Sequence, residues 1–181
     1  MFQFPKPYAD AVARLRVPSG FLIVIVFAWL SRPTAGSLAW GVPVSLLGLA
    51  LRAWAAGCLA KNQDLATGGP YAYTRNPLYI GTLLVAGGLT IAARNPYLGV
   101  LFAAVFVLVY LPVIQLEEQY LRVIFPAYAA YADHVPALLP RLTPFRQKNA
   151  NPFRGSLYLK NQEYQAAIGY FAGVLFLLWK L

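Results

Sequence analysis

Two groups of polar residues in this sequence could do chemistry together. The first is the segment Gly69 to Tyr79, Gly-Pro-Tyr-Ala-Tyr-Thr-Arg-Asn-Pro-Leu-Tyr, and the second is the acidic pair Glu117 and Glu118. Arg75 and a helix start could bind an anion, tyrosine rings could stack on a flat ring, and a carboxylate could accept from hydroxyl or ammonium groups. These residue types predict a site for a nucleotide-like cofactor.

The end of the first group is typical of a helix start. Asn76 suits the N-cap, and Pro77 suits the first helical position, where its missing N–H is not needed. The free amides of that first turn would form an anion site beside Arg75. A capped helix start with tyrosines in an interfacial aromatic belt explains the same residues without a ligand.

The turn before this helix start brings further candidates. Gly68, Gly69 and Pro70 would let the backbone approach a ligand closely. The side chains available to stack on a flat ring are those of Tyr71, Tyr73 and Tyr79.

Helical spacing separates the two acids. Glu118 precedes Arg122 by four residues, which predicts an ordinary surface ion pair. Glu117 shares its helix face with Val113, Leu121 and the bundle interior. A carboxylate at the edge of the hydrocarbon without a local cation is costly, so Glu117 is expected to have a partner or a ligand.

The elements that must position these residues are membrane helices. Of 181 residues, 59% are hydrophobic and 12% are charged, and the mean hydropathy is +0.55, which is a membrane protein profile. The charge-free stretches are Val17 to Ser31, Pro33 to Leu51, Asn76 to Ala93, Asn95 to Leu116 and Tyr164 to Trp179. With help from their flanks these predict about five transmembrane helices, with four as the alternative count.

Charge distribution predicts the orientation and excludes other classes. Of the basic residues that the five-span count places on one face or the other, only Arg32, Arg94 and Lys180 fall outside, so the N-terminus is predicted in the cytoplasm. The net charge of +9 is spread over loops rather than clustered, which favours lipid headgroups over nucleic acid. With a single cysteine, Cys58, and a single histidine, His134, neither a disulfide nor a Cys/His zinc site can be built within the chain.

The ordered motifs resemble the isoprenylcysteine carboxyl methyltransferase family. They are Gly69 to Gly81, Glu117-Glu118-x-x-Leu121, Tyr128-x-x-Tyr131 and Val135-Pro136 to Pro140, with Arg52-Ala53-Trp54-Ala55 as a weaker upstream match. The more distant phospholipid N-methyltransferases share the double glutamate. We interpret residues 1–181 as one domain, with a family-like core at about 45–140 and an amphipathic segment and last helix at 141–181.

The resemblance implies a pocket for S-adenosylmethionine that faces the cytoplasm and admits a lipid-like acceptor from the bilayer. Carried over position by position, cofactor contacts fall on Gln63, Asp64, Leu65, Ala66, Tyr71, Asn76, Pro77, Leu78, Tyr79 and Glu117. Residue chemistry adds Arg75 for the carboxylate of the cofactor and Glu118 as a second carboxylate.

Two departures from the family pattern concern the substrate more than the cofactor. Asparagine at position 76 stands where the family usually has histidine, and Val113 stands where the prenylcysteine enzymes place a substrate-binding arginine. Arg52, inside the second span, could face the interior and hold an anionic acceptor or pair with Glu117 or Glu118, or it could snorkel and only mark the membrane interface. The interior position is favoured. We therefore take Glu117 and Arg52 as the candidate catalytic residues, with a carboxylate, a lipid amine or a thiol as the acceptor.

Two other functions remain open at this stage. A membrane-bound sterol reductase with a nicotinamide cofactor has a related core, but this chain is short and has no extra basic cluster for a cofactor phosphate. A non-enzymatic membrane assembly protein would use both polar segments as structural caps. The sequence does not predict an oligomeric state.

Overall fold

The chain is helical throughout its described part in the computed structural model, which covers residues 4–146 and 151–181. The eight α-helices in these ranges are α1 (Lys6–Leu30), α2 (Ala35–Gly57), α3 (Pro77–Ala93), α4 (Pro96–Val105), α5 (Leu111–Ile124), α6 (Tyr128–His134), α7 (Gly155–Lys160) and α8 (Tyr164–Trp179). A 3-10 turn covers Gly69–Ala72, and a π-helical turn at Phe106–Tyr110 joins α4 to α5 in one rod. The predicted all-α class is confirmed.

Helix boundaries follow local sequence signals. The hydroxyl of Thr34 accepts from the amide of Ser37, and the Ser37 hydroxyl accepts from the amide of Thr34, so a capping box starts α2. Both α3 and α4 begin with a proline, Pro77 and Pro96, at the first helical position. Arg94 ends α3 in the left-handed conformation with φ of 52°, which turns the chain sharply before α4.

Fewer helices meet the length of a full membrane span than the five predicted. By length and composition, α2 and the rod Pro96–Ile124 could each cross a membrane. The first helix would be a third span if its two parts, Lys6–Leu15 and Pro18–Leu30, are counted together across a 55° bend. Pro18 explains a bend there because its ring clashes with the preceding turn.

The remaining two predicted spans are apolar helices that are shorter than expected. α3 has 17 residues because Pro77 and the left-handed Arg94 fix its ends. α8 has 16 residues because it starts after an elbow in which Gln162 has a φ of 56°. These helices occupy the predicted stretches, but their ends are set by turn residues that a hydropathy count does not include.

The closest helix pair is α2 with α3, and small residues line the contact. Gly41, Ser45 and Gly48 of α2 face Gly81 and Gly88 of α3. A Cβ at position 48 would lie 2.6 Å from the carbonyl oxygen of Gly81, so the two backbones touch. Small residues allow this approach, which gives membrane helices their van der Waals contact.

Two connecting segments cross one end of the helices and bind each other. We call them the cap segments: residues 58–76, between α2 and α3, and residues 125–163, between α5 and α8, of which 147–150 lie outside the described residues. The amide of Arg75 donates to Pro136 O, that of Arg141 to Tyr73 O, and that of Phe145 to Ala72 O. The polar part of the protein is therefore one interlocked layer at the helix ends.

Candidate functional site

A cavity of about 700 Å³ lies between the cap segments and the ends of α2, α3, α5 and α8. That volume is in the range of pockets that hold a drug-sized or cofactor-sized ligand. Its lining combines aromatic rings, charged side chains and aliphatic groups: Arg52, Leu59 to Asn62, Asp64 to Ala66, Tyr71, Arg75 to Tyr79, Thr82, Tyr110, Glu117, Tyr120, Leu121, Phe125, Tyr128, Tyr131, Asn161 to Glu163, Gln165 and Ala166. The two polar groups singled out in the sequence thus share one cavity.

Glu117 lies on the cavity wall with its side chain exposed. The hydroxyl of Tyr79 donates to its carboxylate at 2.9 Å, and the Tyr79 ring packs edge-on against Tyr110 with ring centroids 5.8 Å apart. Leu121 lines the same cavity, as the helical spacing predicted. The carboxylate is therefore held in place at a surface that a ligand can reach.

Glu118 points the other way, into the protein, and its predicted surface ion pair with Arg122 is wrong. Its carboxylate receives the Nε and Nη2 of Arg75 at 2.9 and 3.1 Å, and both side chains are only about one-tenth exposed. Arg122 lies instead over the ring of Tyr128 at 5.4 Å. An unpaired buried carboxylate is costly, so Glu118 pairs with a cation from another part of the chain. That cation is Arg75, which lies just before the start of α3.

Arg75 is fully engaged by this arrangement. Besides Glu118, its Nη1 donates to the carbonyl oxygens of Ala132 at 2.8 Å and Val135 at 2.7 Å. Burial alone would lower the pKa of Arg75, but the hydrogen bond and charge of Glu118 outweigh it and raise the pKa. The guanidinium stays charged and joins α3, α5 and α6 at the cavity floor.

Asn76 occupies the N-cap position of α3 without capping it. Its side-chain amide donates to the carbonyl oxygen of Ala137 at 3.0 Å and to Glu118 at 3.4 Å, while the amides of Tyr79 and Ile80 donate to the Asn76 carbonyl. The helix start therefore offers fewer free amides for an anion than the sequence predicted.

Arg52 faces the interior, as the sequence analysis favoured, but its partner is Glu163. Nε and Nη2 of Arg52 contact the two carboxylate oxygens at 2.6 and 3.0 Å, and Nη1 donates to Thr82 Oγ1 at 2.5 Å. The pairing with Glu117 or Glu118 considered in the sequence analysis is wrong. This ion pair ties the start of α8 to α2 and α3 beside the cavity.

A second set of contacts holds the elbow before α8 against the end of α2. The side-chain amide of Asn161 donates to the carbonyl oxygens of Ala56 and Leu59 at 2.9 and 2.8 Å, and the amide of Arg154 donates to Gly57 O at 2.8 Å. These bonds satisfy carbonyls that the helix end leaves open. The C-terminal elbow is thereby a fixed wall of the cavity.

Buried tyrosines form the floor of the cavity and stay protonated. Burial raises the pKa of Tyr71, and the charges of Glu117 and Glu163 add to the effect. Burial likewise raises the pKa of Tyr128 and Tyr131, and the Tyr131 hydroxyl donates to the Tyr71 carbonyl at 2.7 Å. These hydroxyls therefore keep their protons at neutral pH and do not act as bases.

Most residues predicted to contact a cofactor line the cavity. Those that do are Asp64, Leu65, Ala66, Tyr71, Arg75, Asn76, Pro77, Leu78, Tyr79 and Glu117, together with Arg52. Gln63 and Glu118 are not part of the lining. Tyr73 is also outside it, and Gly69, with φ of 57°, faces Cys58 and Trp54, so the expected approach of the Gly69 backbone to this cavity is wrong.

The sequence analysis missed several lining residues. Tyr128 and Tyr131 were noted only as part of a motif, although their spacing of three on a short helix was a signal that both rings share a face. Thr82 and Tyr110 lie inside apolar spans, and Lys61, Asn161, Gln162 and Gln165 lie near helix ends without a recognisable pattern. Only the fold brings them to one cavity.

The helices and the cavity define a helical multi-pass membrane protein with a ligand-sized polar site at one end. Residues 38–128 match the family model described as phospholipid methyltransferase, which covers half of the chain and contains most of the cavity-lining positions. The chain therefore belongs to the phospholipid methyltransferase family. The predicted family is confirmed at this broader level, because the match falls on the group that the sequence analysis placed as more distant relatives.

Two curated proteins are similar in sequence to this chain. The cobalt-zinc-cadmium resistance protein CzcN of Cupriavidus metallidurans is 34% identical over 123 residues, covering 67% of this chain and 56% of the relative. The nickel-cobalt-cadmium resistance protein NccN of Alcaligenes xylosoxydans xylosoxydans is 30% identical over 159 residues, covering 80% of this chain and 74% of the relative. No solved structure has a significant match to the chain. Within residues 4–146 and 151–181, no three His, Cys, Asp or Glu side chains are grouped so that they could hold a metal ion.

Proposed function

We propose that this protein transfers a methyl group from S-adenosylmethionine to a small amphiphilic or lipid-like acceptor at the cytoplasmic face of the membrane. The observation that carries the proposal is the cavity of about 700 Å³, which brings Tyr71 of the first cap segment, Tyr79 of α3 and Glu117 of α5 together. In this proposal all five apolar stretches insert, and the cap segments face the cytoplasm.

The chemistry of the lining fits the cofactor. Glu117, held by Tyr79, offers a carboxylate for hydroxyl or ammonium groups, and the rings of Tyr71, Phe125 and Tyr131 offer an apolar wall for a flat base. The cofactor supplies an electrophilic methyl group on a sulfonium. Methyl transfer then needs alignment and exclusion of water more than a covalent nucleophile.

In this proposal, some cavity residues border the acceptor and another accepts its proton. Arg52, Glu163 and Thr82 lie where α2, α3 and α8 meet, at the end of the cavity nearest the membrane helices, and would border the acceptor. An amine acceptor must lose a proton before it attacks. In this proposal Glu117, which lines the cavity and accepts a hydrogen bond from the Tyr79 hydroxyl, accepts that proton. A carboxylate acceptor needs no base.

Calorimetric titration of the detergent-solubilised protein tests the cofactor directly. We expect S-adenosylhomocysteine to bind and NADPH to give no heat. Binding of NADPH alone would indicate a reductase of the sterol reductase type instead of a methyltransferase. The absence of heat with both ligands would favour a non-enzymatic assembly protein. A membrane lipid extract incubated with methyl-labelled cofactor, followed by mass analysis, would identify the acceptor.

Glu117→Gln should weaken S-adenosylhomocysteine binding by about tenfold. The amide keeps the size of the side chain and a hydrogen bond from Tyr79, but it loses the charge that strengthens contacts to the ligand. Isothermal titration gives the affinity, and thermal unfolding checks the fold. Glu118→Gln is the comparison variant. It should lower the stability of the protein more than its affinity for the ligand, because it removes the charge that pairs with Arg75. Equal small effects of the two variants on affinity would remove Glu117 from the site.

The names of the two relatives refer to resistance to metals, which suggests a physiological role for the proposed activity. If this chain shares such a role, we propose that methyl transfer to an amphiphilic acceptor underlies it. A host that depends on the protein for growth at raised cobalt, zinc or cadmium should then grow with the wild type and not with Glu117→Gln. Full growth with that variant would separate the resistance from the proposed transfer.

A further inference from the structure

Among the residues that the structure describes, three basic side chains line the cavity, and two of them are already engaged. Arg52 is held in bidentate fashion by Glu163 and also donates to Thr82. Arg75 is held in bidentate fashion by Glu118 and donates to two carbonyl oxygens. If a ligand bound either guanidinium in place of its present partner, the carboxylate of Glu163 or Glu118 would lose its cation. Each of these side chains is only about one-tenth exposed, so this loss is strongly unfavourable.

Lys61 is the third basic side chain, and it differs from the two arginines in its exposure and in its contacts. It is exposed, lines the cavity, and makes no ion pair with any residue in the described part of the chain. The sequence motifs did not include it, and the resemblance assigned contacts only from Gln63 onwards. Its ammonium is thus available at the cavity mouth.

The turn that carries Lys61 also presents an acid. The amides of Gln63 and Asp64 both donate to Ala60 O, at 3.2 and 3.3 Å, and Asn62 adopts a φ of 58°, which asparagine tolerates better than most residues. This closed turn places Lys61 and Asp64 three positions apart at the same mouth, and Asp64 also lines the cavity without an ion pair in the described ranges. One turn therefore offers a cation and an anion.

We propose that Lys61 binds the α-carboxylate of the amino-acid part of the cofactor, with Asp64 facing its ammonium group. This assignment rests on the proposed function. A zwitterionic amino acid matches a turn that carries one charge of each sign, whereas the paired arginines offer it no free charge. It replaces the earlier expectation that Arg75 and the start of α3 hold the carboxylate.

A pair of ligands separates this role from general effects on the site. S-adenosylhomocysteine carries the amino-acid part, and 5′-methylthioadenosine has the same nucleoside and thioether without it. Titration of both into wild type and Lys61→Met should show about a fivefold loss of affinity for S-adenosylhomocysteine only, the size expected for a partly exposed charge pair. The loss should shrink as salt concentration rises.

Two further variants complete the test. Lys61→Arg should restore wild-type affinity within about twofold, since it keeps the charge. Lys160→Met removes an exposed lysine outside the cavity lining and should change neither affinity. Equal losses for both ligands, or none for either, would overturn the assignment of Lys61 alone. A wild-type protein that binds neither ligand would overturn the proposed function, and the assignment with it.

Discussion

Replacing Arg75 by methionine should destabilise the folded protein by about 3–5 kcal/mol, the cost of leaving a buried carboxylate without its cation. The carboxylate is that of Glu118, of which only about one-tenth is exposed. After the substitution no arginine would hold this carboxylate, and the side-chain amide of Asn76, at 3.4 Å, is a neutral donor. A loss of this size is a large share of the stability of an ordinary domain.

The same substitution removes more than one ion pair. Arg75 also donates to Ala132 and Val135 at the end of α6, so both carbonyls would lose a charged donor. The second cap segment contacts the first through these bonds and through the backbone bond from Arg75 to Pro136. We therefore expect the cap segments to separate before the membrane helices do.

Unfolding measurements on detergent-solubilised protein, followed by circular dichroism, would give the difference in stability. Arg122→Met is the matched control, because Arg122 was the sequence-predicted partner of Glu118 and in the structure lies exposed over the ring of Tyr128. Its loss should cost no more than about 1 kcal/mol. Similar costs for the two variants would contradict the assignment of Glu118 to Arg75. Glu118→Gln should resemble the Arg75 variant.

This ion pair also shows why the two glutamates could be predicted only in part. Local helical spacing correctly grouped Glu117 with Leu121 and separated it from Glu118. The same spacing offered Arg122 as the only nearby cation for Glu118, whereas the true partner is 43 positions away in sequence. Which side of α5 faces α3 depends on helix packing, and a single amphipathic pattern does not contain that information.

The ends of the apolar helices were harder to predict than their existence. Hydropathy located every stretch that became a long helix, and Pro77 at the first position of α3 is as the sequence indicated. Two of these helices are shorter than a full span because α3 ends at the left-handed Arg94 and α8 starts after the elbow at Gln162. The Arg52 to Glu163 pair, 111 positions apart, fixes that elbow and has no local signal.

The small residues of α2 and α3 illustrate the same limit. The sequence did not predict an oligomeric state, and in the structure Gly41, Ser45 and Gly48 contact α3 within the chain. A stripe of small residues shows that another backbone can approach closely, but it does not specify which helix does so. Here that partner follows in the same chain after the first cap segment.

Gly88→Val should separate α2 from α3 and destabilise the protein by about 3 kcal/mol, at the upper end of the usual cost of overpacking. A Cβ at position 88 would lie 2.5 Å from the carbonyl oxygen of Gly41 and 2.7 Å from the Cβ of Ser45. The first of these groups is backbone, so no rotamer change relieves the clash. The helices must move apart.

Gly87→Val is the control, because a Cβ at position 87 has no atom within 4 Å and sits on the same helix. It should be neutral or slightly stabilising, since glycine is a poor helix former. Thermal unfolding of the two variants in the same detergent measures the difference. Equal stability would mean that α2 and α3 do not pack through this stripe.

The Gly88 variant should also disturb the cavity from a distance. The close approach of α2 and α3 brings the Arg52 guanidinium to Thr82 Oγ1 at 2.5 Å, and Gly81 leaves room for the aliphatic part of Arg52. Separated helices would withdraw Thr82 from Arg52 and leave Glu163 to hold it alone. We therefore expect Gly88→Val to weaken S-adenosylhomocysteine binding together with stability, whereas Lys61→Met weakens binding alone.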